Sequence, residues 1–401
     1  MDTKVGIDKL SVYLPHFYLE MDELAKARGA EVEKYTIGIG QNKMAVPTIQ
    51  EDIVALGANA ANLILDDEDR ATIDQVIFAT ESSFDFSKAA STYIHELLNI
   101  QPFAKSFEVK EACYAATAAL QMACDYVRLR PDRKVLVISS DESRYGLATS
   151  GEPTQGAGAI AMLISANPQI FAIDMESISI TDNQFDFWRP SYSEFSMVDG
   201  GYSTELYQDI FQRAMAQFEA TQPEKLRQLK AMTFHLPFTK MGKKALKSYE
   251  SLEESVFTPD DKAELLKNWQ AQFENSARLN RDVGNVYTGS LFLSFLSLLL
   301  FSEDIKSGDQ IGLFSYGSGA VAELLTGTIQ EQYLTALEKE AVIQHFNNRE
   351  ALTIDQYEEI YTEKVPTDDE KTIIADTTKR TGFYLAKVDA HRRYYKFRTN
   401  K

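Results

Sequence analysis

Short, nearly continuous apolar runs alternate along the chain with longer stretches of helical spacing. Val76-Ile77-Phe78-Ala79-Thr80 reads as a strand, and residues 87–98 as the helix after it. Lys134-Val135-Leu136-Val137-Ile138-Ser139 and residues 159–165 are two more strands. In the second half Ala231-Met232-Thr233-Phe234 and Gln310-Ile311-Gly312-Leu313-Phe314-Ser315 repeat the type. Strands that are apolar on both faces and separated by helices belong in sheets covered on both sides, so the pattern predicts an α/β fold. The most hydrophobic run, residues 291–301, falls short of the roughly 20 residues a bilayer span needs and reads as a buried helix.

A weak internal repeat overlies this pattern. Gly156-Ala157-Gly158-Ala159-Ile160-Ala161-Met162-Leu163-Ile164 resembles Gly317-Ser318-Gly319-Ala320-Val321-Ala322-Glu323-Leu324-Leu325, each after an apolar strand. The segment around Cys113, ahead of one helix, has a counterpart in residues 285–290, ahead of the run at 291–300. The chain therefore divides into two similar α/β halves, residues 1–166 and 167–401, whose residues meet at the middle. The glycines are no dinucleotide fingerprint, because a strand rather than a helix follows them. From about residue 327 Glu, Lys, Asp and Tyr dominate. Helical patches at 333–346, a polar break at 364–369 and a late strand at 382–388 make this tail an elaboration packed on the core rather than a separate catalytic domain.

Charge and cysteine usage narrow the function classes. With 401 residues the chain can bury a large core, and its net charge of −18 opposes broad nucleic-acid binding. An anionic ligand would need a local basic cluster against that field. Two cysteines cannot form a disulfide framework, and a reducing cytoplasm fits them. If one helix carried both Cys113 and Cys124 they would stand roughly 16 Å apart on one face, too far to bond. Residues 1–10 contain no apolar stretch of signal-peptide length.

The candidate chemistry starts with Cys113 in Glu111-Ala112-Cys113-Tyr114-Ala115-Ala116-Thr117. A cysteine between a strand-like piece and a run of small helical residues meets a helix N-terminus. That end favours negative charge, lowers the thiol pKa, and offers N–H groups to an oxyanion. The same segment also fits a small buried thiol that packs as a hydrophobe. Glu81 follows the strand that ends at Thr80, where a carboxylate can serve as a general base or merely cap a helix. His235 ends another strand, again at a position that can face an active crevice or hold a structural hydrogen bond. Lys240, Lys243, Lys244 and Lys247 have i, i+3, i+4, i+7 spacing, so one helix face could show all four. Beginning five residues after His235, they form the local positive patch that phosphates would need; a charge run of this kind is otherwise a solvated face.

Taken together, these segments resemble the bacterial type of the hydroxymethylglutaryl-CoA synthase family. The resemblance rests on Glu-Ala-Cys-Tyr-Ala-Ala-Thr, on Phe234-His235-Leu236-Pro237-Phe238-Thr239-Lys240-Met241-Gly242-Lys243-Lys244, and on Gly284-Asn285-Val286-Tyr287-Thr288-Gly289-Ser290. Asp186-Phe187-Trp188-Arg189-Pro190 and Phe314-Ser315-Tyr316-Gly317-Ser318-Gly319 add to it. It covers essentially the whole chain and is weakest after residue 327. It implies a thiolase-type fold of two similar halves with layered helices and sheets, usually as a homodimer in the cytoplasm. It implies condensation of acetyl-CoA with acetoacetyl-CoA to 3-hydroxy-3-methylglutaryl-CoA, in the mevalonate route to isoprenoids, with no metal or organic cofactor. Cys113 matches the nucleophile, Glu81 the acid/base carboxylate and His235 the catalytic histidine. Substrate contacts fall on Thr154, Ser203, Lys244, Asn285 and Ser318, with Lys240 and Lys243 in the same basic run, and Glu31 borders the CoA site. Three rival readings remain distinguishable. A degradative thiolase needs a second cysteine in its C-terminal half, and both cysteines here precede residue 125. A ketoacyl synthase has no base at the Glu81 position, and a non-catalytic acyl-CoA-binding shell would leave Cys113 unacetylated.

Overall fold

The computed structural model describes residues 3–252, 255–375, 378 and 380–399. Ten strands form one sheet: β1 (Val5–Tyr13), β2 (Ile73–Ala79), β3 (Lys105–Val109), β4 (Lys134–Ser143), β5 (Gly156–Ala166), β6 (Phe171–Ile173), β7 (Ile178–Thr181), β8 (Leu229–Phe234), β9 (Gln310–Gly317) and β10 (Val321–Ile329). Their order is β8-β9-β10-β6-β1-β5-β4-β2-β3, with β7 also on β10. The order contains a two-fold repeat. β1-β5 and β5-β4 pair antiparallel and β4-β2 parallel; β6-β10 and β10-β9 pair antiparallel and β9-β8 parallel. β1 and β6 join the two sets at the centre, antiparallel.

Helices cover this sheet because its strands are apolar on both faces. They are α1 (Ile53–Ile64), α2 (Ala90–Leu97), α3 (Ala115–Leu129), α4 (Gly200–Thr221), α5 (Met241–Glu250), α6 (Pro259–Ser276) and α7 (Ser290–Phe301); a later helix, α8 (Ile354–Thr362), packs instead in a separate cluster with Leu19, Leu24, Tyr35 and Met44. Successive strand residues point to opposite faces. Ile77, Ala79, Val135 and Val137 share one core with the small face of α3 and with α7. Val76, Phe78, Leu136 and Ile138 pack the other way, on α1 and α2. In the second set Ala231, Ile311 and Leu313 join the α3/α7 core, whereas Met232, Phe234, Phe314 and Tyr316 pack on α4, α5 and α6. The result is five layers, helix–strand–helix–strand–helix. A helix that is hydrophobic all round fits only in the middle layer. That is where the 291–301 run lies, as α7, buried at every position from Ser290 to Leu300.

Three local expectations change. The helix expected over 87–98 starts at Ala90, because Asp85 accepts the Ser87 and Lys88 N–H groups and draws those residues into a turn. The helical stretch 333–346 breaks at Glu338, whose φ of 46° is left-handed. Cys113 lies two residues ahead of α3 and so shares no helix with Cys124. The described part of the tail packs largely on N-terminal elements. Residues 350–351 pair with 17–18, Asn59 of α1 bonds Phe383 in both directions (2.7 and 2.9 Å), and Asp52 takes Arg393 and Tyr395 at 2.7 Å.

Candidate active site

The two-fold repeat brings the candidate groups together. β2 and β8 are equivalent strands, and Glu81 and His235 follow their carboxyl ends, the usual crevice end of an α/β sheet. Helices α3 and α7 are equivalent too, and Cys113 and Asn285 stand just ahead of their N-termini. Each of these two turns holds a left-handed non-glycine residue, Ala112 at φ 41° and Tyr287 at φ 42°. Such residues cost roughly 1–2 kcal/mol and persist where the surroundings impose them. The end of β9 presses on the Cys113 turn, and a Cβ at Gly317 would come within 2.7 Å of the Tyr114 N–H nitrogen, so only glycine fits there.

Cys113, Thr154, Ser203, His235, Asn285 and Ser318 all line one cavity of about 240 Å³. Glu81 reaches it from behind the thiol, whose Sγ–H donates to Glu81 Oε2 at 3.5 Å. His235 is 2% exposed, and its Nδ1 has no hydrogen-bond partner among the described residues. Ser203 donates to Asp186 (3.0 Å), and Thr154 donates to the Gly151 carbonyl (2.9 Å). The remaining sequence candidates stand outside the cavity lining. Lys240 is half-buried at the α5 N-cap, and its N–H donates to Ile39 of the segment that follows Glu31 (3.1 Å). Glu31 is exposed. Lys243, Lys244 and Lys247 are exposed on α5, but the expected row of free charges is incomplete: Lys243 pairs with Glu274, which Arg281 also holds. The Lys244 ammonium lies 5.5 Å from the ring of Phe238, itself a cavity residue.

The electrostatics correct one expectation. A lowered thiol pKa is expected at a helix N-terminus, yet the Cys113 thiol is held well above its ordinary value. Burial is the main cause, followed by the negative charges of Glu81 and Asp141. Burial of the thiol, with the two carboxylates beside it, sets that direction. Glu81 is pushed up to about 8, first by burial and then by Asp141, while the bond from Cys113 and the charge of Arg189 pull the other way. Burial lowers His235 to about 3, so its ring is neutral near pH 7. Cys124, inside the core on α3, is raised to about 12 by burial.

Several residues of the site escape the sequence reading. Asp141 of β4 is fully buried and accepts six hydrogen bonds. Its Oδ1 takes Thr80 Oγ1 (2.8 Å), the N–H groups of Glu81 (2.8 Å) and Ser82 (3.1 Å), and Ser82 Oγ (3.0 Å). Its Oδ2 takes Thr288 N–H (3.1 Å) and Thr288 Oγ1. One carboxylate therefore ties the Glu81 loop to the turn that carries Asn285. Asp186, also fully buried, accepts from Ser203, Tyr316 (2.8 Å) and Gly319 N–H (3.0 Å), and anchors the hairpin of residues 187–198 over the cavity. Tyr145, Phe187 and Tyr287 pack edge to face as a wall. Among the described residues no group of three or more His, Cys, Asp and Glu side chains could hold a metal ion.

The raised Glu81 carboxyl carries a stability signature. A carboxyl whose pKa rises on folding binds its proton more tightly in the native state. Its contribution is fully present below the unfolded value of 4.5 and is lost as pH climbs through about 8, at about 1.4 kcal/mol for each pH unit crossed. Glu81→Gln should therefore gain stability over the wild type as pH is raised from 5 to 9. Urea melts at the two ends of that range test it, and a difference that does not change with pH would refute the assignment.

Comparison with known proteins identifies the family and the fold. Family models described as hydroxymethylglutaryl-coenzyme A synthase N terminal and C terminal match residues 1–169 and 251–398. A hydroxymethylglutaryl-CoA synthase of Enterococcus faecalis is 46% identical over 369 residues, 92% of this chain and 94% of that one. A crystal structure of an HMG-CoA synthase complexed with CoA superposes with a TM-score of 0.93 at 41% identity, covering 98% of this chain and 100% of the other. A synthase in complex with 3-hydroxy-3-methylglutaryl coenzyme A gives 0.89 at 32% identity, covering 99% and 100%. The five layers and their two-fold repeat are the thiolase-type fold of these proteins. Likeness of this extent in sequence and in fold, over nearly the full length of each relative, leaves one conclusion: the chain belongs to the hydroxymethylglutaryl-CoA synthase family.

Proposed function

We propose that this protein condenses acetyl-CoA with acetoacetyl-CoA and water to 3-hydroxy-3-methylglutaryl-CoA and free CoA, in the mevalonate route to isoprenoids. The observation that carries the reading is the contact of Glu81 with Cys113, a thiol that lines one cavity together with His235 and Asn285. Cys113 loses its proton and attacks the acetyl thioester; CoA leaves as the thiol and the acetyl group stays on Sγ. Glu81 as carboxylate removes one methyl proton, and the resulting enolate carbon bonds to the ketone carbon of acetoacetyl-CoA. His235 and Asn285 hold that ketone. Because burial keeps the imidazole neutral, it acts as an N–H donor to the developing alkoxide rather than as a cation. The proton gained by Glu81 balances the one the alkoxide takes up. Water then cleaves the cysteine thioester and frees the carboxylate of the product.

The same reading divides the chain near residue 166, with Cys113 and Glu81 in the first half and His235 and Asn285 in the second. It takes Thr154, Ser203 and Ser318 as contacts inside the cavity, and Glu31, Lys240, Lys243 and Lys244 as contacts at its rim for CoA. A cytoplasmic homodimer completes it. No helix among the described residues is long and apolar enough to cross a membrane. Strand β3 is an open sheet edge, with Phe103 just before it 90% exposed, and edges of this kind are normally covered.

Mixing the protein with both thioesters and following loss of the acetoacetyl enolate absorbance tests the function directly; no loss above the rate of either substrate alone would refute it. The rim has its own expectation. Lys243→Ala with Lys244→Ala should raise KM for a CoA substrate about two- to fivefold, the worth of an exposed charge contact, and change turnover less. Lys244 should account for most of it, since Glu274 already occupies Lys243. The effect should shrink with added salt. Slower turnover at unchanged KM would remove the lysines from CoA binding.

A further inference from the structure

The loop of residues 144–155 enters the cavity at both ends and leans on the C-terminal helix in between. At one end Tyr145 lines the cavity, and its hydroxyl accepts from Asn285 Nδ2 at 3.1 Å. At the other end the Thr154 carbonyl accepts the Asn285 N–H at 3.1 Å. The Asn285 amide is thus fixed in orientation: its Oδ1 takes Tyr287 N–H (2.9 Å) and Ser290 Oγ (3.0 Å), and one Nδ2 hydrogen goes to Tyr145. Among the described residues no group accepts the second Nδ2 hydrogen, which is available to a ligand.

Helix α8 contributes nothing to the cavity lining, yet it supports this loop from outside. The Tyr361 hydroxyl accepts Gly146 N–H and donates to Gln155 Oε1, both at 2.9 Å. Gln155 Oε1 also accepts Tyr145 N–H at 2.7 Å, so one tyrosine hydroxyl and one amide oxygen hold the backbone on both sides of Tyr145. The Arg144 guanidinium stacks on the Tyr361 ring at 4.3 Å. One turn earlier Tyr357, fully buried, accepts from Gln155 Nε2 (3.0 Å) and donates to Glu152 (3.1 Å). The Tyr357 bonds are buried and those of Tyr361 partly so, and hydrogen bonds in such settings are directional and costly to leave unmade.

We infer that Tyr361 is a positioning residue for the condensation: through Gly146 and Gln155 it fixes the Tyr145 hydroxyl, and through that the Asn285 amide that orients the ketone of the second substrate. The inference rests on the proposed role of Asn285 and gives the C-terminal helix a part in carbon–carbon bond formation but none in acetylation of Cys113. An ångström of misplacement at a reacting group costs up to about a hundredfold, whereas the thiol and Glu81 lie on other elements.

Tyr361→Phe tests it, because the ring and its stacking stay and only the hydroxyl goes. Labelling of the enzyme by radioactive acetyl-CoA should stay within about twofold of wild type, while single-turnover condensation of the acetyl-enzyme with acetoacetyl-CoA should slow about tenfold. In an Asn285→Ala background the same substitution should have no further effect, because residues acting through one another are not additive. If Tyr361→Phe does not fold, Gln155→Met removes the shared acceptor at similar volume and carries the same expectations. Equal losses in both steps, no loss in condensation, or a full additive loss beside Asn285→Ala would overturn the inference while wild-type turnover leaves the proposed function standing. A wild type that is acetylated and never consumes acetoacetyl-CoA would overturn both.

Discussion

Glu81→Gln is expected to keep the acetyl-cysteine and lose the product. Glutamine preserves the shape of the side chain and an oxygen for the Cys113 thiol, which lies 3.5 Å from Glu81. With its pKa pushed up to about 8, Glu81 is mostly protonated at neutral pH, so the substitution changes the charge beside the thiol little and acetylation does not suffer. What the amide cannot do is take a proton from the acetyl methyl group. A general base is worth about 10²–10⁴-fold, and condensation should fall by that amount while labelling by acetyl-CoA persists. The wild type should show the same group in its pH profile. With Glu81 pushed up to about 8, roughly a tenth of it is ionised at pH 7, and condensation from preformed acetyl-enzyme should climb about tenfold between pH 7 and pH 9. The climb should vanish in Glu81→Gln. Parallel loss of both half-reactions would make Glu81 a structural residue, and normal product formation would place the base elsewhere.

Cys113→Ser should abolish both half-reactions. Burial and two carboxylates already oppose ionisation of the thiol; a hydroxyl, far weaker as an acid, has no accessible anion in that setting. Loss of a nucleophile can reach on the order of 10⁶-fold, so no acetyl label and no turnover are expected. Cys124→Ala is the matching control. That thiol is buried in the core away from the cavity, so its loss should lower stability and leave acetylation intact. Acetyl label on Cys113→Ser, or loss of label on Cys124→Ala, would reverse the assignment.

Much of this architecture is legible in the sequence, for local reasons. β2, β4, β8 and β9 are continuous apolar runs because helices cover both their faces, and α7 is apolar all round because it lies in the middle layer. Cys113, Glu81 and His235 stand out because each lies at the end of an element. Thr154, Ser203, Asn285 and Ser318 stand out only through the family resemblance, since nothing near them in sequence distinguishes them from other small polar residues. Asp141 is not legible. In Ser-Ser-Asp-Glu-Ser it looks like the polar end of a strand, and its partners at Glu81 and Thr288 are 60 and 147 residues away. The raised pKa of Cys113 is hidden for the same reason, as the helix end is local and the opposing carboxylates are not. Helix α4, by contrast, carries a readable signal in Leu206, Tyr207, Ile210, Phe211, Ala214 and Phe218, spaced three and four apart.

The site is walled and braced by parts of the chain that are made well after Cys113 and Glu81, and this matters at the ribosome. Cys113 and Glu81 leave the exit tunnel long before the Thr288 that completes the Asp141 clamp, and longer still before the Tyr361 that braces the Tyr145 loop. At about 5–20 residues per second, the roughly 250 residues between Cys113 and Tyr361 take from about ten seconds to most of a minute to synthesise. Until His235, Asn285 and Ser318 have followed it, the nascent chain carries the Cys113 sulfur without the walls that later shield it from oxidants and foreign electrophiles, and the Tyr361 brace comes later still.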